Sequence, residues 1–260
     1  MNIEQRALRF ACAGSSLVGV VDVPERPLER GVLLLADSAQ YRVGSQRQCT
    51  LLSRMLAPRG VPVLRFDRRG MGDADGEPRA FDAIDDDIRA AMKEFFIQLP
   101  EMKESVIFGM GDAALAAALY APLDQRVCAV VLFNPQPGRQ QDDPVPLHRH
   151  YLPQLGEVSF WRKAGHDGAG APLRRKLLAA AATGRTALPR RIADTLSHFG
   201  GRSLLVLGGE APEARQFAQV LLRHHPALRS VDIAQTGHDL GGTAWREEVA
   251  QATASWITSW

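Results

Sequence analysis

Residues 107–114 read IFGMGDAA, and this stretch decides the fold. It joins a short apolar run, Ser105–Phe108, to an alanine-rich segment of helical character. Gly109 and Ala113 are the small residues that let a strand turn sharply into a helix. A turn of this shape presents the residue at its tip, where a reactive Ser, Cys or Asp is usual. In this chain the tip residue is Gly111.

A glycine at the tip removes the chemistry that the turn normally supports. Covalent acyl transfer needs an oxygen or sulfur atom there, and Gly111 has neither. The side chains of Met110 and Asp112 point elsewhere in such a turn, so neither replaces it easily. Glycine also relieves the backbone strain of the tip. The sequence therefore predicts a catalytic turn without its nucleophile; the alternative is a glycine-rich strand-to-helix turn of another α/β fold.

Working outward, strands and helices alternate along most of the chain, which predicts a mostly parallel sheet with flanking helices, an α/β fold. Predicted strands are Ala7–Cys12, Leu17–Val23, Gly31–Leu35, Val61–Phe66, Ser105–Phe108, Val127–Phe133, Ser203–Leu207 and Ser230–Ile233. Predicted helices are Ser45–Ala57, Asp82–Leu99, Ala113–Tyr120, Pro212–Leu222 and Thr243–Trp260. Residues 136–199 interrupt this alternation and are rich in Pro, Gly, Arg and His. We expect a core of 1–135 and 200–260 with a helical lid inserted at 136–199.

A histidine and a carboxylate follow the last strands in the order that suits a catalytic pair. His238 lies between the final strand and the final helix, and Glu210 follows the strand Ser203–Leu207. Glu213 is the reserve candidate for the acid. A carboxylate hydrogen-bonded to a histidine fixes its tautomer and stabilises the imidazolium. We therefore predict a His238–Glu210 dyad that survives without a nucleophile.

The loop after Leu35 is the expected source of one oxyanion-binding N–H, and the backbone N–H of the residue after the tip is the second. Backbone donors survive changes of side chain, so this hole can persist. A carboxylate of Asp37 pointing into the pocket would oppose a developing oxyanion. The predicted oxyanion and binding residues are Ser38, Ala39, Gln40, Tyr41 and Asp112.

Several segments resemble known hydrolases. Residues 65–73, RFDRRGMGD, resemble the D-x-R-G-x-G segment of many α/β-hydrolases. Residues 40–48, QYRVGSQRQ, resemble the first catalytic loop of the type 1 hydrolases associated with the exosortase A system. In that family Gly-Gly-Pro precedes this loop, where the present chain has residues 37–39, Asp-Ser-Ala. Residues 108–114 resemble the family's elbow, in which a cysteine is expected at position 111.

Two further regions extend the resemblance over nearly the whole chain. His150-Tyr151 with residues 160–163, Phe-Trp-Arg-Lys, resembles the family's lid, and Gly237-His238 resembles its histidine loop. The resemblance implies an α/β-hydrolase fold with a helical lid. It also implies a likeness to esterases and thioesterases, and a connection with exopolysaccharide production and a membrane protein-sorting enzyme. The departures at positions 37–39 and 111 imply that the oxyanion loop and acyl-enzyme catalysis have changed.

Composition restricts the partners and the cellular compartment that we expect for the protein. A formal net charge of +2 argues against a nucleic-acid partner. No apolar run approaches the ~18–20 residues of a membrane span, and the N-terminus lacks the apolar stretch of a signal peptide. Three scattered cysteines predict neither disulfides nor a metal site, so we expect a cytoplasmic protein without a cofactor. The run Asp85–Asp87 is interpreted as a solvated helix start.

Two functional hypotheses remain open. In the first, the protein binds a small acyl or lipid-like ligand, or a protein partner at the membrane surface, and has lost covalent catalysis. In the second, it is an active hydrolase or lyase in which the His238–Glu210 dyad acts as a base without a covalent intermediate. A third possibility is a hydrolase with an unforeseen nucleophile.

Overall fold

The computed structural model describes residues 3–38, 40–137, 187–209, 211–233 and 243–260. Ala39, Glu210 and His238, which the sequence singles out, lie outside the described residues, as does most of the predicted lid. The chain divides into two compact units, one made of 1–138 and 192–260 and the other of 139–191. The assignment of 136–199 to a lid stays a prediction.

A single mixed sheet runs through the first unit. Its strands in chain order are β1 (Ile3–Cys12), β2 (Ser15–Pro24), β3 (Arg30–Leu35), β4 (Val63–Asp67), β5 (Glu104–Met110), β6 (Val127–Phe133), β7 (Arg202–Gly208) and β8 (Arg229–Ile233). Their spatial order is β1-β2-β4-β3-β5-β6-β7-β8. Only the pairs β1–β2 and β2–β4 are antiparallel among the described strands. The predicted mostly parallel sheet is confirmed.

Helices cover the two faces of the sheet. In the described residues they are α1 (Gln48–Leu56), α2 (Asp85–Gln98), α3 (Asp112–Tyr120), α4 (Ala187–His198), α5 (Pro212–His224) and α6 (Thr243–Ile257). Helices α1 and α6 pack together and share one buried cluster with Val32 and Leu34 of β3. On the opposite face, Phe95 of α2 packs so closely on Gly31 that a Cβ there would lie 2.6 Å from its ring. None of the helices in the described ranges is long and apolar enough to span a membrane.

The boundaries of some elements differ from the prediction for local reasons. Strand β2 begins at Ser15, earlier than expected, because Ala13 and Gly14, both with positive φ, form a two-residue turn that matches strand twist. Helix α1 begins three residues late because Gln46 and Arg47 have φ of 48° and 63°. Asp82 belongs to a short 3-10 turn before α2 and not to the helix itself.

The acidic run at the start of α2 differs from its prediction. Asp87 is fully buried and forms an ion pair with Arg69. The backbone N–H of Arg69 donates to Asp87 Oδ1 at 2.8 Å, and Arg69 Nη2 donates to Oδ2 at 2.7 Å. The prediction that this run is a solvated helix start is therefore wrong for Asp87. The bridge instead ties the turn after β4 to the start of α2.

Candidate functional site

The turn between β5 and α3 has the geometry that the sequence indicated. Gly111, at its tip, has φ +58° and ψ −121°, a combination that costs other residues conformational energy. The Gly111 N–H donates to the carbonyl oxygen of Phe133 at 3.0 Å, and the Gly111 carbonyl accepts from the backbone N–H of Gln136 at 3.3 Å. The tip is thus held to the end of β6.

Glycine is also required before the tip. A Cβ on Gly109 would lie 2.4 Å from the carbonyl oxygen of Ala113 and 2.5 Å from Cα of Ala114. Because both of these atoms belong to the backbone of α3, they cannot move aside cheaply. The small residue at position 109 therefore permits the close approach of strand and helix that makes the turn sharp.

The space above Gly111 is occupied by a carboxylate. A Cβ built on Gly111 would lie 1.9 Å from Oδ2 and 3.0 Å from Cγ of Asp37. The first distance is far shorter than any non-bonded contact, and the second is tighter than most. The Asp37 carboxylate therefore lies where the side chain of a nucleophile would begin. Sequence reasoning placed Asp37 near an oxyanion but did not place it against the tip.

A second carboxylate engages the oxyanion loop. The backbone N–H of Ser38 donates to Oδ1 of Asp112 at 2.8 Å, and Asp112 is almost completely buried. The N–H that this loop offers at Ser38 is therefore already paired with an anion. The carboxyl groups of Asp37 and Asp112 therefore both lie at this turn.

An ionic network fixes the loop after β3. The backbone N–H of Arg42 donates to Asp67 Oδ1 at 2.6 Å, and its guanidinium pairs with Asp67 and with Asp73, the latter at 2.7 Å. Asp67 is buried and also accepts the backbone N–H of Asp73 at 2.9 Å. The sequence carried the signal in its D-x-R-G-x-G segment, but the positioning roles of Asp67 and Arg42 were not foreseen.

The remaining loop residues occupy different environments. The backbone N–H of Gln40 donates to the Asp37 carbonyl oxygen at 2.9 Å, so the loop turns back on itself directly after Asp37. Tyr41 is 46% exposed, and its ring is therefore available to a ligand or partner. Ser38, Asp37, Gly111 and Asp112 are brought together, whereas Ala39, which follows Ser38, is outside the described residues.

The end of β7 is held by a side chain that sequence reasoning missed. The amide of Asn134 donates to the Gly208 carbonyl at 2.9 Å and accepts the Gly208 N–H at 2.9 Å. Asn134 has φ +44°, so this bridge is made at some conformational cost. It fixes the strand end that leads to Glu210. Glu213, the reserve acid, is exposed in the first turn of α5.

Comparisons with known proteins agree with this geometry. Residues 40–252 match the model of the alpha/beta hydrolase family. No curated protein matches the chain. Similar solved structures include the Pyrococcus furiosus esterase Pf2001, 14% identical with a TM-score of 0.66 over 99% of this chain and 91% of that one. Dienelactone hydrolase from Anabaena variabilis is 15% identical with a TM-score of 0.66, covering 100% and 99% of the two chains. At these identities the structural likeness shows the fold alone.

Proposed function

The chain belongs to the alpha/beta hydrolase family, and on that premise we propose that it has lost acyl-enzyme hydrolysis and binds a small acyl or lipid-like ligand. One observation carries the proposal: the tip of the turn is glycine, and the Asp37 carboxylate fills the space of the missing side chain. An ester bound here meets no nucleophile on residue 111. The likeness to esterases then describes the origin of the site and not its present chemistry.

The donors of an oxyanion hole support the same conclusion. Loss of one such donor typically slows acyl transfer by about 10²–10³-fold. In this chain the Ser38 N–H is paired with Asp112, and a second carboxylate stands beside it at Asp37. Even with a nucleophile supplied, a tetrahedral oxyanion would form beside negative charge.

The ligand class follows from what the site offers. A carboxylate has about four acceptor sites, so the carboxylates of this turn suit a ligand that bears hydroxyl groups beside its apolar part. The exposed ring of Tyr41 adds an apolar surface at the same loop. A glycolipid-like molecule has both features. The resemblance of residues 40–48 to hydrolases of the exosortase A system supports a role beside exopolysaccharide production, where a protein partner at the membrane surface is the other candidate.

The first test is turnover of short-chain p-nitrophenyl esters and thioesters by the purified protein beside His238→Ala. We expect the parent and the variant to be equally inert. Turnover by the parent that disappears in His238→Ala would refute the loss of catalysis. In parallel, octyl glucoside below its micelle concentration should raise the melting temperature, because a ligand that binds only the folded state stabilises it.

A second candidate keeps the protein an enzyme. The two hydrogen bonds between Asn134 and Gly208 fix the strand end that precedes Glu210, which favours a positioned acid beside a histidine. A His238–Glu210 dyad would then activate water or take a substrate proton without a covalent intermediate. In that case Glu210→Gln and His238→Ala should both abolish turnover, whereas a ligand-binding protein should tolerate both changes.

A further inference from the structure

Two departures that lie far apart in the sequence meet at one point of the structure. One is the sequence Asp-Ser-Ala at positions 37–39, and the other is Gly111. The pairing of β3 with β5 places Leu35 opposite Gly109, so the residues two positions later, Asp37 and Gly111, follow as neighbours. The distance of 1.9 Å from Asp37 Oδ2 to a Cβ on Gly111 is the consequence.

We propose that Asp37 is the residue that keeps this turn closed to a nucleophile, so that a reactive side chain works at position 111 only when Asp37 is replaced as well. This inference rests on the proposed loss of acyl-enzyme hydrolysis and adds a second residue to it. In this account Gly111 and Asp37 are a coupled pair, each of which fits only in the presence of the other.

Hydrogen bonds hold the loop backbone directly after Asp37. The peptide group that follows Asp37 makes both of its hydrogen bonds. Its carbonyl oxygen accepts the Gln40 N–H at 2.9 Å, and its N–H, which belongs to Ser38, donates to buried Asp112 at 2.8 Å. A side chain added at 111 must therefore displace the Asp37 carboxylate itself, which contacts the added Cβ through both Oδ2 and Cγ.

Charge also opposes a nucleophile at 111. A cysteine attacks as its thiolate, and a neighbouring carboxylate favours the neutral thiol. A thiol at position 111 would lie against Asp37, with Asp112 following directly in the chain. Removing Asp37 therefore restores both the room for the sulfur atom and its ability to ionise.

The test compares alkylation of a new thiol in four proteins: Gly111→Cys alone, and the same change combined with Asp37→Ala, Asp37→Asn or Glu29→Gln. Glu29 is the matched control, because it is an exposed carboxylate before β3, at the opposite edge of the sheet. Rates with iodoacetamide are measured from pH 6 to 9, and mass spectrometry identifies the alkylated residue.

The three natural cysteines leave the new thiol easy to observe. Burial raises the pKa of Cys12, and it raises the pKa of Cys49 and Cys128 to about 12. All three are therefore poorly ionised in this pH range, and Cys12 and Cys49 are buried as well.

We expect Asp37→Ala to accelerate alkylation of the Gly111→Cys protein at pH 7 by at least about tenfold, with an apparent thiol pKa lower by about one unit. Asp37→Asn should give part of this gain, since it removes charge and keeps volume, and Glu29→Gln should give none. Equal rates with and without Asp37 would overturn the inference while leaving the proposed function intact. Ester turnover by the parent would refute the proposed function, and the alkylation comparison would still decide the role of Asp37.

If Gly111→Cys does not fold, the test uses the melting temperature of the smaller variant Gly111→Ala in place of the alkylation rate. It should rise when Asp37→Ala is added. An unchanged or lower melting temperature would count against the coupled pair.

Discussion

The cost of adding one methyl group at Gly111 can be worked out from the structure. With φ +58° and ψ −121°, an L-residue at this position costs about 1–3 kcal/mol of backbone strain. The overlap with Asp37 at 1.9 Å adds about 1–3 kcal/mol, the usual cost of overpacking. Gly111→Ala should therefore lower the free energy of unfolding by about 2–6 kcal/mol, of which only the strain remains when Asp37 is absent.

A double-mutant cycle in urea unfolding measures that difference. The proteins are the parent, Gly111→Ala, Asp37→Ala and the double variant. We expect the double variant to be more stable than the sum of the two single changes predicts, by about 1–3 kcal/mol. Gly109→Ala is the matched control, because its added Cβ meets the backbone of α3 and not a side chain. It should destabilise the protein equally with and without Asp37. The reasoning is refuted if Gly111→Ala lowers the free energy of unfolding by the same amount, within about 0.5 kcal/mol, in the presence and in the absence of Asp37.

Three further predictions concern the surroundings of the site. Asp87→Ala should lower the free energy of unfolding by about 3–5 kcal/mol, because it leaves the Arg69 guanidinium buried and unpaired; a loss below about 1 kcal/mol in urea titrations would contradict this. Burial raises the pKa of the Cys49 thiol to about 12. The neutral thiol therefore stabilises the folded state at pH values below the pKa that this thiol has in the unfolded chain. This stabilisation is lost as the pH rises from about 9 to 12. Between pH 8 and 10 the parent should lose about 1–2 kcal/mol more than Cys49→Ala does; parallel pH dependences would show that the thiol is not responsible. Asn134→Ala should cost about 1–2 kcal/mol through its two lost hydrogen bonds to the end of β7, and hydrogen exchange there should quicken; unchanged exchange would mean that the bridge does not hold that strand.

The strands of the sheet were the most predictable part of the fold. Runs such as Gly31–Leu35 and Ser105–Phe108 are continuously apolar, as strands buried on both faces must be. The small residues at 109 and 113 likewise indicate the turn from the sequence alone. Helix boundaries were less accessible, since the positive φ of Gln46 and Arg47 has no signature in those residue types.

The meeting of Asp37 with Gly111 could not be predicted, because it depends on strand register. A strand that is apolar on both faces fits its neighbour almost equally well in several registers, so the hydrophobic pattern of β3 and β5 fixes none of them. The prediction that Asp87 is solvated failed for a similar reason. Its partner Arg69 is distant in the sequence, and an acidic helix start is ordinarily solvated.

The contact between Asp37 and Gly111 also constrains how this protein can change by descent. On the proposed coupling, a lineage with a side chain at position 111 would accept an aspartate at 37 only after losing that side chain. A Cβ restored at Gly111 would then lie 1.9 Å from the carboxylate. On the proposed loss of acyl-enzyme hydrolysis, either reversion alone would give an intermediate without catalysis, so selection for hydrolysis would have no single step to favour. Homologues with this loop geometry should therefore carry glycine at 111 wherever aspartate stands at 37.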